Sequence, residues 1–177
     1  VYATTTEAVA TGLTDYMGYT YQGGDMRFVN VNDTDNVIDE KDKTLIGDPT
    51  PDFYGGFSTS LKYKSFSLQA QFTYSYGNDI YNGLRSKLES MTSFKSQSKA
   101  VKSRWSYEGQ VTDVPRADLW QEKKNDRFSS RWIEDGSFLK LKHLTFNYEH
   151  PGSLWIFNSF QAYLSAENLF VITKYLG

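Results

Sequence analysis

Two stretches of this chain alternate apolar and polar residues with a period of two, and the long stretch between them does not. From Phe53, positions 53, 57, 59, 61 and 63 are Phe, Phe, Thr, Leu and Tyr, while 54, 58, 60, 62 and 64 are Tyr, Ser, Ser, Lys and Lys. Beyond Lys64-Ser65, Phe66, Leu68, Ala70, Phe72, Tyr74 and Tyr76 alternate with Ser67, Gln69, Gln71, Thr73 and Ser75. Successive strand residues point to opposite faces, so the pattern predicts a hairpin with a short turn, one apolar face and one polar face. The unbroken run from Phe66 to Tyr76 exceeds the ~5–6 residues of an ordinary soluble strand. It matches the ~9–11 residues of a tilted membrane strand. The polar positions are mostly small and uncharged, as a wall facing a hydrated interior requires.

The second stretch, RWIEDGSFLKLKHLTFNY (Arg131 to Tyr148), sets a polar turn, Glu134-Asp135-Gly136-Ser137, before Leu144, Phe146 and Tyr148 alternate with Thr145, Asn147 and Glu149. An Asp-Gly turn ahead of such alternation marks a strand. A final hairpin is expected from Phe138 to Tyr148 and from about Phe160 to Phe170, with Pro151-Gly152 and Asn158-Ser159 between. Elsewhere the period changes. Glu7 to Leu13 reads as a short helix, and Leu84, Leu88, Met91 and Phe94 fall at helical spacing within the irregular segment Asp79 to Asp126. Asn30 to Asp42 is acidic and turn-rich, and Pro49 and Pro51 make the linker to Phe53 stiff and non-helical. A long charged segment between long strands is unusual in a compact domain. It is ordinary in outer-membrane barrels, whose turns are short on the periplasmic side and long outside.

Composition sharpens this picture. Thirteen Tyr, twelve Phe and four Trp make the chain 16% aromatic, which suits either interfacial aromatic girdles or a carbohydrate-binding sandwich. Mean hydropathy is −0.56, and no apolar run approaches the ~20 residues of a transmembrane helix. That excludes helical spans only. With no cysteine there is neither disulfide nor thiolate chemistry. Net charge is −2. The basic run Arg85 to Arg104 therefore has no companion motif or global field for nucleic acid, and suits a solvated face or a contact with anionic lipopolysaccharide. Val1-Tyr2-Ala3-Thr4 lacks the charged start and apolar core of a signal peptide, leaving a mature segment, an internal fragment or a cytoplasmic protein as the alternatives.

Little in the chain points to catalysis. No G-x-S-x-G elbow or phosphate-cradling glycine loop occurs. His143 and His150 flank a strand rather than sharing a helix face, which argues against zinc. Glu134, Asp135, Asp113 and Asp118 have no spacing that fixes a glycosidase pair. We expect a non-enzyme that requires no cofactor. The one metal-like motif is Asp33, Asp35, Asp39 and Asp42, with Asn32 and Asn36, whose oxygen spacing resembles that of calcium loops, with Asn36 in place of the turn glycine and Val31 at the first ligand position unless one residue is inserted. A calcium site and a polar turn held by Asx hydrogen bonds are both compatible with it. Trp105, Tyr107, Arg116 and Trp120 are candidates for a ligand or partner contact, since aromatic faces and guanidinium groups stack on sugars and clamp peptides. The alternative is that such residues anchor the loop or sit in a girdle.

Five blocks in order resemble the SusC/RagA family of TonB-dependent outer-membrane importers: GDMRFVNVNDTDNVIDEKDKTLIGDPTPDFYGGF (Gly24 to Phe57), SYGNDIYN (Ser75 to Asn82), RWSYEGQVTDVPRA (Arg104 to Ala117), RWIEDGSFLKLKHLTFNY (Arg131 to Tyr148) and SAENLFVITKYLG (Ser165 to Gly177). The acidic loop departs from the family's D-x-N-x-D-G spacing. The resemblance implies an all-β chain, part of a large antiparallel transmembrane β-barrel of about 22 strands with a plugged lumen and long extracellular loops. Residues 1–177 correspond to a C-terminal segment of that barrel: 1–52 a loop with the acidic turn, 53–76 a hairpin, 77–136 a long loop and 137–177 further strands. The plug, TonB box and N-terminal domain are expected to lie outside it. The implied partners are a SusD-like surface lipoprotein, the TonB-ExbB-ExbD machinery, a glycan or oligopeptide ligand, and outer-membrane lipid with lipopolysaccharide. Phe57, Leu61, Phe66, Leu68, Phe72, Leu144 and Phe146 are expected to face lipid, and Ser58, Ser60, Gln69, Gln71, Thr73, Thr145 and Asn147 the lumen. The competing class is a secreted carbohydrate-binding β-sandwich.

Overall fold

The structure is a computed structural model that describes residues 1–32, 34–119, 125–152 and 159–176. In chain order its elements are α1 (Thr5–Ala10), β1 (Thr14–Asp15), β2 (Val37–Ile38), β3 (Phe53–Tyr63), β4 (Phe66–Tyr76), β5 (Asp79–Tyr81), α2 (Gly83–Leu88), β6 (Ile133–Asp135), β7 (Phe138–Glu149) and β8 (Gln161–Thr173). Among the described residues, short 3-10 turns lie at Glu40–Asp42, Lys99–Ser103 and Ser130–Trp132. The fold class is all-β, as expected. The chain divides into two compact units: Val1–Ile46 with Asn82–Trp132, and Gly47–Tyr81 with Ile133–Leu176.

The second, the sheet unit, is built on one four-stranded sheet in the order β3-β4-β7-β8. Every neighbouring pair is antiparallel. The β3–β4 hairpin turns at Lys64-Ser65, as its pattern predicts, with Tyr63 paired to Phe66. Lys64 takes φ 52°, the positive value that a tight hairpin asks of its first turn residue. Register is regular from Phe53↔Tyr76 to Tyr63↔Phe66. Between β4 and β7 it shifts once: Gln71 pairs with His143 and Phe72 with Leu141, leaving Lys142 as a bulge residue. The β7–β8 ladder shifts at the same level, from Leu141↔Phe170 to His143↔Glu167, and Asn168 there has φ 55°.

Several expected boundaries move. The turn at Glu134 to Ser137 shortens to Gly136-Ser137, because Glu134 and Asp135 belong to β6 and pair with Ile80 and Asp79 of β5. Strand β8 runs on to Thr173. Helix α1 starts earlier than Glu7, because the Thr4 side chain accepts the Glu7 N–H and caps it. It stops before Leu13, where Gly12 turns left-handed at φ 68°. Helix α2 is capped by Asn82 and ends before Met91, whose φ of 53° leaves the helical region. Asn158 lies outside the described residues.

The other unit, the loop unit, joins the two segments flanking the first hairpin. Tyr2, Ala8, Tyr21 and Ile38 form one buried cluster, with Leu13 and Phe28 against it. Met91, Val101 and Val114 form another. Residues distant in sequence tie the segments together. The Trp105 indole N–H donates to the Ala3 carbonyl at 3.0 Å, and the Thr5 N–H donates to the Glu108 carboxylate at 2.9 Å. The Trp105 ring lies so close over Gly24 that a Cβ there would come within 2.5 Å of it, and Gly24 itself has φ +83°. Only glycine meets both demands.

Candidate functional site

The register of the sheet sorts its side chains into two chemically opposite faces. One face carries Phe53, Phe57, Thr59, Leu61 and Tyr63 from β3, paired with Tyr76, Phe72, Ala70, Leu68 and Phe66 from β4. Leu144, Phe146 and Tyr148 of β7 continue it opposite Ala70, Leu68 and Phe66. Across the bulge Leu139 and Leu141 rejoin it, and β8 adds Ala162, Leu164, Ala166, Phe170 and Ile172. No member of this face is charged. Its tyrosines sit at the two ends, Tyr63 and Tyr148 beside the short turn and Tyr74 and Tyr76 at the other, with aliphatic residues and phenylalanine between. Ring centroids of Phe57 and Phe72 are 4.8 Å apart, and those of Phe66 and Phe146 5.6 Å, the spacing of favourable stacked pairs.

These apolar side chains are exposed in the four-stranded layer: Leu61 63%, Phe57 51%, Leu164 73% and Ile172 63%. A soluble sandwich would bury such a face against a second sheet. Among the described residues no second layer covers it.

The reverse face holds Ser58, Ser60, Ser67, Gln69, Gln71, Thr73, Thr145 and Asn147, again by register. The Gln161 amide N–H donates to Asn147 Oδ1 at 2.9 Å, and Thr145 Oγ1 lies 2.7 Å from His143 Nε2. A shallow recess there is lined by Ser67, Gln69, Thr145, Asn147, Gln161 and Tyr163. The residues expected to face lipid and those expected to face a lumen thus fall on opposite sides. The sequence reading missed Leu139, Leu141 and the β8 contribution. The signal was present: Lys142-His143 places two polar residues in succession between Leu141 and Leu144, where the phase of alternation flips.

Of the named binding candidates, Trp105 and Arg116 make structural contacts within the loop unit. Trp105 is half-buried over Gly23 and Gly24. Arg116 donates from Nε to Asp25 Oδ1 at 2.7 Å, and Asp25 is fully buried. The same carboxylate accepts the Gln22 N–H at 2.9 Å and the Asn125 side-chain N–H at 3.3 Å. Nothing in the sequence marked Asp25 or Asn125. Tyr107 is 66% exposed at the surface, and Trp120 lies outside the described residues. A second buried network joins Glu89 to Arg85 at 3.2 Å and to Arg131 at 3.3 Å. Both guanidinium groups lie over the buried Trp132 ring, at 5.8 Å and 5.0 Å from its centroid, and Arg131 also donates to the Asp113 carbonyl. Burial pushes the Tyr21 phenol up to about 12.

In the acidic loop the carboxylates serve the backbone. Asp42 accepts the N–H groups of Val31, Asn32 and Asp39 at 2.8, 3.0 and 2.8 Å. Asp39 accepts that of Lys41 and Asp35 that of Val37. Burial opposes ionisation of Asp42, but the three N–H donors together hold it below the usual carboxylate range. Asp33 lies outside the described residues. Among the described residues no three acidic or histidine side chains converge as metal ligands.

No family model matches the chain. It is similar to TonB-dependent receptor P3 of Formosa agariphila, with 35% identity over 148 residues that cover 82% of this chain and 14% of that receptor. TonB-dependent receptor P39 of the same organism is 28% identical over 163 residues, covering 88% and 16%. Among solved structures it resembles the RagAB peptide transporter, with TM-score 0.67 and 29% identity over 81% of this chain and 16% of that one. It also resembles the RagAB peptide importer in the open-open state, with TM-score 0.61 and 30% identity over 92% and 16%. The chain therefore spans a small part of the length of each relative. These relatives are receptors and transporters rather than enzymes. With the uncharged, tyrosine-bounded face of its long-stranded sheet, this similarity places the chain in the SusC/RagA-type TonB-dependent receptors, β-barrel proteins of the outer membrane.

Proposed function

We propose that these residues form part of the wall and outer loops of a TonB-dependent nutrient importer. The observation that carries this reading is the apolar face, uncharged over four strands of 11, 11, 12 and 13 residues and bounded by tyrosines. From Phe53 to Tyr63 a strand rises ~33 Å, which at a tilt of ~40° spans about 25 Å, the height of the apolar band of an outer-membrane barrel. That face meets lipid, and the Ser/Gln/Thr/Asn face meets the lumen. The outer strands β3 and β8 each offer one free ladder edge, which further strands would complete in a closed barrel of about 22. Closure is required, because an open edge in lipid leaves backbone groups unsatisfied.

The cargo in this reading is a glycan or an oligopeptide, captured together with a SusD-like surface lipoprotein and drawn in by TonB. The name of the RagAB peptide transporter supports a peptide, and the exposed aromatic Tyr107 suits either class. Expression of the full receptor with a SusD-like lipoprotein, followed by pull-down and uptake of labelled peptide and glycan mixtures, tests this. Accumulation of one class, abolished by loss of TonB, is expected. Unchanged accumulation without TonB would contradict the proposal.

A further inference from the structure

The basic run Arg85 to Arg104 holds six cations and one acid, and the fold treats them unequally. Arg85 turns inward to Glu89 and the Trp132 ring, and Glu89 is shared with Arg131. The other five, Lys87, Lys95, Lys99, Lys102 and Arg104, are exposed. Among the described residues none of the five has a carboxylate within ion-pair distance. Elsewhere in the loop unit Arg27, Lys41, Lys43 and Arg116 each have one. A local scaffold gathers the unpaired cations. The Ser98 N–H donates to the Leu88 carbonyl at 3.0 Å, which brings Lys87 back towards Lys99. Ser98 also caps the Lys99–Ser103 turn, whose Val101 is buried with Met91 and Val114. At three residues per turn, Lys99 and Lys102 share one face, about 6 Å apart along the axis. Two acids border this surface. Asp113 is held near Ser103, whose carbonyl accepts the Thr112 hydroxyl at 2.8 Å, and Glu108 is engaged by the Thr5 N–H and hydroxyl.

We infer that this surface binds an anionic polysaccharide, one carrying uronate carboxylates or sulfate esters, and steers it to the importer. This rests on the importer reading and narrows its cargo. Unpaired like charges repel one another, and at physiological salt the screening length of ~8 Å lets neighbours such as Lys99 and Lys102 act together. A chain of repeated negative charge relieves several of them at once and gains in association rate. Two observations favour a glycan over an acidic peptide. Peptide recognition uses a free strand edge or an apolar groove, and this surface offers neither: Lys99–Ser103 is helical, and Met91, Val101 and Val114 are buried. Four of the five cations are lysines, compact charges on flexible stems, which suit charges repeated along a chain better than one carboxylate held in a fork. Phe94, 95% exposed beside Lys95, adds an open ring for the apolar face of a sugar.

The test measures binding of polygalacturonate, dextran sulfate, neutral dextran, polyglutamate and lipopolysaccharide to the full receptor in detergent. Polygalacturonate or dextran sulfate should bind, which distinguishes carboxylate from sulfate, and neutral dextran should not. K99E/K102E is expected to weaken that binding roughly tenfold. K41E/K43E makes the same change of net charge at cations already paired with Asp35 and Glu40, and should bind as the unmodified receptor does. Equal losses in the two variants would overturn the inference, because net charge alone would then be responsible. So would binding of neither acidic polysaccharide, or a preference for polyglutamate or lipopolysaccharide over both. Amide exchange at Met91 and Val101 shows whether K99E/K102E keeps its fold; if it does not, K99Q/K102Q is read in its place, with a smaller loss expected and no loss contradicting the site. The heat-modifiable barrel band reports on the importer reading separately. A receptor that shows the band but binds neither acidic polysaccharide sinks this inference alone, and one that never forms the band sinks the reading beneath it.

Discussion

In the loop unit the largest fully buried side chains are Trp132, Tyr2 and Tyr21, whereas in the sheet unit the buried apolar residues are Ala70 and Leu141 and the other large ones are half-buried or exposed. The polar groups invert as well. Asp15, Asp25, Asn82, Glu89 and Asn125 are all buried in the loop unit, where hydrogen bonds and guanidinium partners compensate them. One chain thus follows two solvent rules. The described residues of the loop unit fold as those of a water-soluble protein do, hiding aromatic rings and pairing buried charges. The sheet unit hides almost nothing, because its apolar face needs no protein partner if lipid is its solvent.

The contrast can be broken most severely on the sheet. Phe72→Lys puts a charge at mid-height of the apolar face, at about 2–4 kcal/mol, whereas Gln71→Lys places the same charge next door on the polar face. In the full receptor the first should abolish the heat-modifiable barrel band and the second should not; equal losses would dissolve the distinction between faces. In the loop unit Asp25→Ala leaves Arg116 and Asn125 without their shared acceptor. A loss of roughly 1.5–3 kcal/mol is expected, read as faster amide exchange in residues 1–46 and 82–132 with the sheet strands unchanged. Uniform loosening of both regions would argue that they are energetically one body.

A smaller effect should come from pH. The Thr5 side chain and N–H hold the Glu108 carboxyl below its ordinary range, and backbone donors do the same for Asp42 against the opposing effect of burial. A depressed folded-state pKa contributes stability that is full above the unfolded value near 4 and is lost as pH falls through the folded value. Limited proteolysis of the loop unit should therefore accelerate below about pH 4, before the sheet strands become protease-sensitive. Loss of both at the same pH would contradict this. The smallest effect belongs to Tyr107→Ala. Its ring is exposed, so exchange rates should not change, and any loss should appear only in capture of the cargo or lipoprotein proposed above.

The sheet was largely legible in the sequence, because period-two alternation carries face, register and strand length at once. The β3–β4 hairpin, its turn and both its faces follow from residues 53 to 76. The phase slip at Lys142-His143 is written there too, as two polar residues in a row, and it was the pairing across three strands that gave it meaning. The loop unit was not legible. Asp25 meets Arg116 across 91 positions and Trp105 meets Ala3 across 102, and no local period encodes such contacts. Trp105 and Arg116 stood out for their chemistry, while the structure shows the indole N–H and the guanidinium engaged in holding the unit together. Short helices were found but misplaced by a few residues, because caps at Thr4 and Asn82 and left-handed turns at Gly12 and Met91 decide their ends.

The central claim is that the four strands separate lipid from water. The chain has no cysteine, so single cysteines can be introduced from 66 to 76 and from 138 to 149 in a cysteine-free full receptor, spin-labelled, and read for collision with oxygen against a water-soluble nickel complex. The account predicts strict alternation along the first strand, with even positions favouring oxygen. Along the second, even positions from 144 to 148 should favour oxygen, and 139 and 141 should do so after the phase flips at Lys142. Uniform accessibility on both strands, or alternation that runs through 142 without a flip, would contradict it.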